Sequence, residues 1–361
     1  MSTPFKPLFI FLGMVAGVSW GMDLSSPAWA QLPPREDHPA HPLMTAQVLV
    51  VESIALTERG LQDSAAITKT VTDKLSEAGF TVVSSPDQPH DVIVRVKCEE
   101  RQTWTGPSKH RSTSPASASR LWKGPACHIS YRHGDQSSHW SWEVHTSFED
   151  TRAAAEAAGA PNTGIFALEA LNAQLQQDDF PVFLAAEWEQ VDRLLILLQQ
   201  STDNTQRQTT ILQLLGTLSN DKAFAALKEA LTNPDLTSTA LLALGKQGEM
   251  AIPTLVSYLE TTTNADHQLA AIQALGVIAT QSKAPALFPQ FIKLLESNDP
   301  KIQTEAVKGL GNLGDRRAIE PLEKLNLKAW TNPSTSPDMQ ALRKMLSGSL
   351  WQLNPATHAS D

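Results

Sequence analysis

Cysteine is nearly absent: the 361 residues hold two, Cys98 and Cys127. Neither directly follows the apolar run at the N-terminus, which argues against a lipid-modified leader. Long apolar runs are scarce as well. Past residue 30 no stretch approaches the roughly 20 apolar residues that a spanning helix needs, so no transmembrane segment is expected in the mature chain. Clustered basic residues are also missing. The formal net charge is −9, and an acidic chain without a Lys/Arg block argues against a nucleic-acid partner, because phosphate neutralisation needs grouped cations. Past residue 30 there is no Gly-x-Ser-x-Gly, no His-Glu-x-x-His and no phosphate-binding glycine loop. The paired acids Glu99 and Glu100 read as a solvated strand end. These absences point away from catalysis, and no catalytic residue, metal or cofactor is expected.

What is present begins with a leader. An apolar stretch from Pro7 through Met22 follows Lys6. Ala28-Trp29-Ala30 then fits a small-x-small cleavage pattern that makes Gln31 the first mature residue. Residues 1–30 therefore read as a signal peptide, which makes the mature chain periplasmic or secreted; the rival reading is a retained anchor. Residues 31–45 hold four prolines and no apolar period, the composition of a linker. In an oxidising compartment, two cysteines readily pair.

Residues 46–178 read as an α+β sandwich, a mixed or antiparallel sheet with helices on its apolar face. Val48-Leu-Val-Val51 is strand-forming. Ile67, Val71, Leu75 and Ala78 fall at helical spacing, with Gly79 where a C-cap belongs, and Phe80 to Val83 returns to strand. Val92, Val94, Val96 and Cys98 alternate with Arg95 and Lys97. Cys127, Ile129 and Tyr131 make a second alternating face, and Trp140, Trp142, Val144 and Phe148 a third. His133-Gly134-Asp135 is the turn between those last two strands. Both cysteines thus point inward on strands able to lie side by side, which supports a Cys98–Cys127 disulfide; the alternative is two buried free thiols. Helices are expected over residues 151–158 and 164–177. The second brings Phe166, Leu168, Leu171 and Leu175 to the sheet or to the region beyond.

Residues 179–355 repeat, and residues 356–361 read as a tail. Pro181 suits a first helical turn, and Val191, Leu194, Leu195 and Leu198 suggest an opening half-repeat. Ile211-Leu-Gln-Leu-Leu-Gly216 then returns as Ala240-Leu-Leu-Ala-Leu-Gly245, Ala271-Ile-Gln-Ala-Leu-Gly276 and Ala306-Val-Lys-Gly-Leu-Gly311. The glycines lie roughly 30 residues apart, a solenoid period. Between them recur Ala223-Phe-Ala-Ala-Leu227, Ala251-Ile-Pro-Thr-Leu255, Leu287-Phe-Pro-Gln-Phe291 and Ala318-Ile-Glu-Pro-Leu322. Each unit reads as a glycine helix, a turn and a second helix, about four units in all. The glycines either let helices approach closely or take positive φ, and Asp315 is placed to cap the helix after it.

Gly309-Leu-Gly-Asn-Leu-Gly-Asp-Arg-Arg-Ala-Ile-Glu-Pro-Leu322 resembles the short HEAT-like repeat of phycobilisome lyases. Ala251-Ile-Pro-Thr-Leu255 matches its second half, and Asn298-Asp299-Pro300 its inter-repeat turn. The segment after Gly276 departs, lacking the Gly-Asp pair, and reads as a longer turn. The resemblance implies an all-α solenoid after the α+β domain. It does not imply a reaction, because such repeats serve unrelated scaffolds.

Three clusters invite a functional reading. His128, His133, His139 and His145, with Glu143, crowd the sheet, but their spacing fits no common zinc pattern and a solvated outer face explains them. The connection from Arg101 to Ala126 carries Trp104, Arg111, Arg120, Trp122 and Lys123, a candidate binding loop for an anionic or glycan ligand; a plain surface loop is the alternative. Tyr258 is a candidate groove residue. The expected function is an exported scaffold or adaptor that holds a protein partner in its solenoid groove. A chromophore-attachment helper of the lyase type and an envelope glycan- or lipid-binding module are the alternatives.

Overall fold

The alternating runs pair into one six-stranded sheet in the computed structural model, which describes residues 41–100 and 124–354. Strand β1 (Val48–Thr57) has β2 (Gly60–Gln62) and β3 (Thr81–Val83) on one side. On its other side follow β4 (Val92–Glu99), β5 (Ala126–His133) and β6 (Gln136–His145). β1 runs parallel to β3 and β4, and the remaining pairs are antiparallel. Helices α1 (Ala65–Glu77) and α3 (Thr163–Gln177) cover one face, and α2 (Thr151–Ala157) packs on α3. Val92, Val94, Val96 and Cys98 are buried on the helix side, whereas Arg95 and Lys97 are exposed on the other. The register sets Cys98 opposite Cys127, and their sulfurs are bonded at 2.01 Å.

Some local details differ from the expectation. β2, at three residues, is too short to show a period. Phe148 lies past the end of β6 and stacks on Phe166 of α3, ring centroids 5.4 Å apart. Glu100 is buried rather than solvated. Its carboxylate accepts the Glu58 N–H at 2.8 Å, beside Gly164, where a Cβ would come within 3.0 Å of it. Leu43, inside the proline-rich stretch, is buried in the core.

From Phe180 onward the chain is helical. The elements are α4 (Phe180–Glu187), α5 (Val191–Gln199), α6 (Thr205–Leu215), α7 (Asp221–Ala230), α8 (Thr237–Lys246), α9 (Ile252–Thr261), α10 (Ala265–Ser282), α11 (Phe288–Leu294), α12 (Pro300–Leu313), α13 (Ile319–Thr331) and α14 (Pro337–Leu353). Asn204, Asn220, Asn264 and Asp299 each accept a first-turn N–H of the helix that follows, the ordinary use of a short polar side chain at an N-cap. Asp315 does the same for the 3₁₀ turn Arg316–Ala318 that leads into α13. The segment after Gly276 is no turn: α10 runs on to Ser282 and stops at Lys283, φ 55°. Ile278 and Ala279 are buried there, so core contact continues the helix. The repeats also pair out of phase with the sequence phrases, since each second helix packs chiefly on the glycine helix that follows it.

Sheet and helices share one hydrophobic core. At the junction Trp188, at the end of α4, is fully buried. It stands edge-on to Phe80 at 5.6 Å and to Tyr131 at 5.3 Å. Trp142 stacks on Phe183 at 4.2 Å, and its Nε1–H donates to Asp178 at 2.9 Å. Arg193 of α5 is buried with neutral acceptors. It donates to the Ala78 carbonyl (2.8 Å), Gln47 Oε1 (2.7 Å) and Gln190 Oε1 (2.6 Å), and its guanidinium lies 3.5 Å from the Phe80 ring centroid. Burial brings its pKa down to about 10. Gln190 in turn donates to the carbonyls of Leu43 and Ala46, both at 2.9 Å.

Candidate functional site

Small residues let the glycine helices meet backbone to backbone. A Cβ on Gly216 would lie 2.9 Å from Ala243 Cα, and one on Gly245 would lie 2.7 Å from Ala274 Cα. One on Gly311 would lie 2.8 Å from Ser349 Oγ. Neither Gly216, Gly245, Gly276 nor Gly311 has positive φ, so close approach is what the first two and Gly311 provide. Gly276 has open space at its Cβ position. Glutamines seal the seams: Gln247 Nε2 donates to the carbonyls of Leu215 (2.8 Å), Gly216 (3.2 Å) and Leu218 (2.9 Å). Leu215 O also accepts the Leu218 N–H at 3.2 Å, so the amide adds to the capping of the α6 C-terminus, where carbonyls lack helical partners.

Helices α6, α8, α10, α12 and α14 thus form a closely spaced layer, while α7, α9, α11 and α13 touch one another little. Unequal spacing in two stacked layers bends the stack toward the tighter one, so the glycine helices line its inner side. One turn before each glycine, Gln213, Leu242, Gln273 and Lys308 are exposed in register. Leu242 is 40 % exposed at the centre. Gln273 Nε2 donates to Glu305 Oε1 at 3.3 Å, a polar link from α10 to α12, and within α12 Lys308 Nζ lies 3.7 Å from Glu305 Oε2. One residue after each glycine come Thr217, Lys246, Val277 and Asn312; burial lowers the pKa of Lys246. The face therefore offers amides, one hydroxyl and two ammonium groups around two apolar side chains, Leu242 and Val277. That set can donate to and accept from a polypeptide, and it lacks a nucleophile paired with a base.

Of the residues singled out from sequence, those that the structure describes fall elsewhere. Tyr258 on α9 is half-buried, its hydroxyl 3.0 Å from His267 Nδ1 on α10. Trp104, Arg111, Arg120, Trp122 and Lys123 lie outside the described residues, as do Ala28, Ala30 and Gln31 of the leader. His139, Glu143 and His145 share the open face of β6, with His145 Nε2 3.4 Å from Glu143 Oε2. Among the described residues no three His, Cys, Asp or Glu side chains gather as a metal site requires, and no helix is long and apolar enough to cross a membrane. The open sheet face has a depression of about 390 Å³ lined by Glu52, Ile54, Arg95, Val96, Lys97, His128 and Ser130. Across its floor Arg95 Nε meets Glu52 Oε2 at 3.0 Å. The inner-face ladder has a periodic signal in the sequence, the position three before each glycine, but period alone does not say that this side meets solvent.

Residues 191–276 and 252–331 match the family of HEAT repeats, and the C-terminal half of the chain carries these repeats. A comparison with curated proteins finds no match. Among solved structures, the crystal structure of an engineered protein is similar at 22 % identity, over 49 % of this chain and 84 % of that one, TM-score 0.32. A second engineered protein is similar at 20 % identity, over 56 % of this chain and 63 % of that one, TM-score 0.33. The complex of CpcE and CpcF of phycocyanin lyase from Nostoc sp. PCC7120 is similar at 18 % identity, over 47 % of this chain and 88 % of that one, TM-score 0.26. At these TM-scores no functional implication follows.

Proposed function

We propose that this chain is an exported, non-enzymatic scaffold that holds another polypeptide along the inner face of its glycine helices, in the periplasm or outside the cell. The observation that carries the reading is the ladder Gln213, Leu242, Gln273 and Lys308, exposed in register on helices that Gly216 and Gly245 lock together. A rigid curved surface of this kind suits an extended partner, since repeat stacks bind along their concave side. The leader pattern and the cysteine pair support export together, because a disulfide persists in an oxidising compartment.

Affinity capture from an envelope extract, with the mature chain as bait, tests the partner reading. One protein recovered in stoichiometric amount, and lost when Leu242→Glu and Gln273→Glu are combined, is the expected result. Equal recovery by the variant removes the inner face from the reading, and recovery of nothing removes the adaptor. Mass spectrometry of the chain purified from its own cells tests export: an N-terminus at Gln31 is expected, and an intact Met1 leader contradicts cleavage.

The envelope glycan reading has one observation in its favour, the open-face depression with Arg95, Lys97 and His128 on its walls. Purified cell wall pulled down by the wild type and not by an Arg95→Ala, Lys97→Ala variant would promote it over the scaffold. The chromophore-attachment alternative gains no residue-level support among the described residues.

A further inference from the structure

We propose that the C-terminal end of the helical stack is a self-association surface, closed by a second copy of this chain packed tail to tail. The register of the repeat carries the argument. Gly216 faces Ala243, two residues before Gly245; Gly245 faces Ala274, two residues before Gly276. Gly311 faces Ser349 in the same way. The same count along α14 puts Trp351 in the glycine position. In α6, α8 and α12 that position receives the next helix. In α14 it carries an indole that is 59 % exposed, directed to where a further helix would stack.

The neighbouring helix adds to the surface. On α13, Leu327 is 69 % and Trp330 61 % exposed. Trp330 is held beside α14, because the Arg343 guanidinium lies 5.4 Å from its ring centroid while donating to the carbonyls of Ala329 (3.0 Å), Asn332 (2.8 Å) and Ser334 (3.0 Å). Terminal pairs of repeat stacks ordinarily turn a polar face outward. Two pinned or projecting tryptophans are the side chains that anchor interfaces.

The occupant follows from the other end of the stack. There α4 is covered by the sheet, through Trp142 on Phe183 and through Trp188. Head-to-tail stacking, which would give an open filament, therefore has no free head to use. A tail-to-tail pair related by a twofold axis closes on itself. The chain as a whole is acidic, at −9, but this end is mixed: Glu320 and Glu323 lie on α13 with Lys324 and Lys328, and Lys344 lies on α14. A twofold copy thus brings opposite charges within reach instead of repeating an acidic field. Residues 355–361 carry no large apolar side chain.

Sedimentation equilibrium of the mature chain tests the proposal. A concentration-dependent dimer is expected, and Trp351→Lys and Leu327→Lys, each alone, should weaken it at least about tenfold, the scale of an interface anchor. Both sites are exposed, so melting temperatures should be unchanged when measured at a concentration where the wild type is monomeric; should Trp351→Lys melt lower there, Trp351→Gln and Leu327→Lys decide the matter. A chain that stays monomeric at every concentration overturns the proposal. So does a dimer that both substitutions leave intact, or one that disappears on truncation after Asn354.

Discussion

The seam between α8 and α10 and the seam between the sheet and α5 both exclude water, with opposite materials. In the first, Gly245 brings two backbones together and no large side chain intervenes. In the second, Trp188 fills the gap between Phe80 and Tyr131, and Arg193 ties three neutral acceptors on separate segments. A small-residue seam can be repeated, because nothing in it depends on one particular side chain. A junction between unlike layers is made once, and single side chains carry it. The small-residue seam should thus fail through excess volume, the junction through a missing group.

Trp188→Ala gives the sharpest test. Removing a fully buried indole should cost about 3–5 kcal/mol. If the junction joins sheet and stack into one cooperative unit, urea unfolding followed by helical circular dichroism and by hydrogen exchange of the β4 and β5 amides should shift together. Helical signal that unfolds unshifted would separate the two regions energetically and break the comparison.

The disulfide asks the same question from within the sheet. Cys98 and Cys127 are 29 positions apart, and cross-linking a loop of that size stabilises by about 3–4 kcal/mol on the chain-entropy model. Replacing both with alanine should lower the midpoint of the whole chain when the junction is intact. In the Trp188→Ala background the loss should stay within the sheet.

At the small-residue seams the sign reverses between two glycines. Gly245→Val must push against the Ala274 backbone and should cost about 1–3 kcal/mol, as overpacking does. Gly276→Ala meets open space within a helix and should stabilise by about 0.5–1 kcal/mol, because alanine loses less backbone entropy there. Thermal melts of both variants check this. Equal losses would mean that the glycines serve flexibility and not approach.

The same contrast explains what was legible in the chain. The repeats were readable because their seams recur, so Gly216, Gly245, Gly276 and Gly311 announce one another. The sheet was readable because Val92, Val94, Val96 and Cys98 alternate, and that alternation already set Cys98 toward Cys127. Arg193 was not readable. In Val191-Asp-Arg-Leu-Leu it looks like a solvent-facing residue of an amphipathic helix. Its acceptors on Ala78 and Gln47 lie 115 and 146 positions away, and no local pattern encodes them. The inner-face ladder was half readable. Its spacing is periodic, but which side of the glycine helix meets water follows only from which side meets Ala243 and Ala274. The run past Gly276 reads as a longer turn but is helix to Ser282, because the missing Gly-Asp pair removes a stop signal and does not supply a turn.

The smallest expected effect lies in two aspartates that the regions use in opposite ways. Asp91, exposed in the sheet, accepts the Gln47 and Val48 N–H groups at 2.7 and 2.8 Å. These bonds, Val48 first, hold its pKa below the usual 3.8. Its contribution is therefore present above the unfolded-state pKa and is lost as pH falls through the lower folded value. Asp178, at the junction, accepts Phe180 N–H at 2.7 Å and Trp142 Nε1–H at 2.9 Å, yet burial outweighs both and raises its pKa. Its contribution is present below the unfolded-state pKa and fades as pH rises through the raised folded value. Asp91→Asn should accordingly lower the melting temperature at neutral pH and converge with wild type in acid. Asp178→Asn keeps an acceptor oxygen for both donors and removes the buried charge. It should match wild type in acid and melt slightly higher at neutral pH. Melts from about pH 3 to 7, spanning ordinary carboxylate titration, distinguish the two trends. If the Asp178 variant instead melts lower at neutral pH, the charge on that carboxylate strengthens the junction, and the distinction between a charge used at the surface and one tolerated inside is lost.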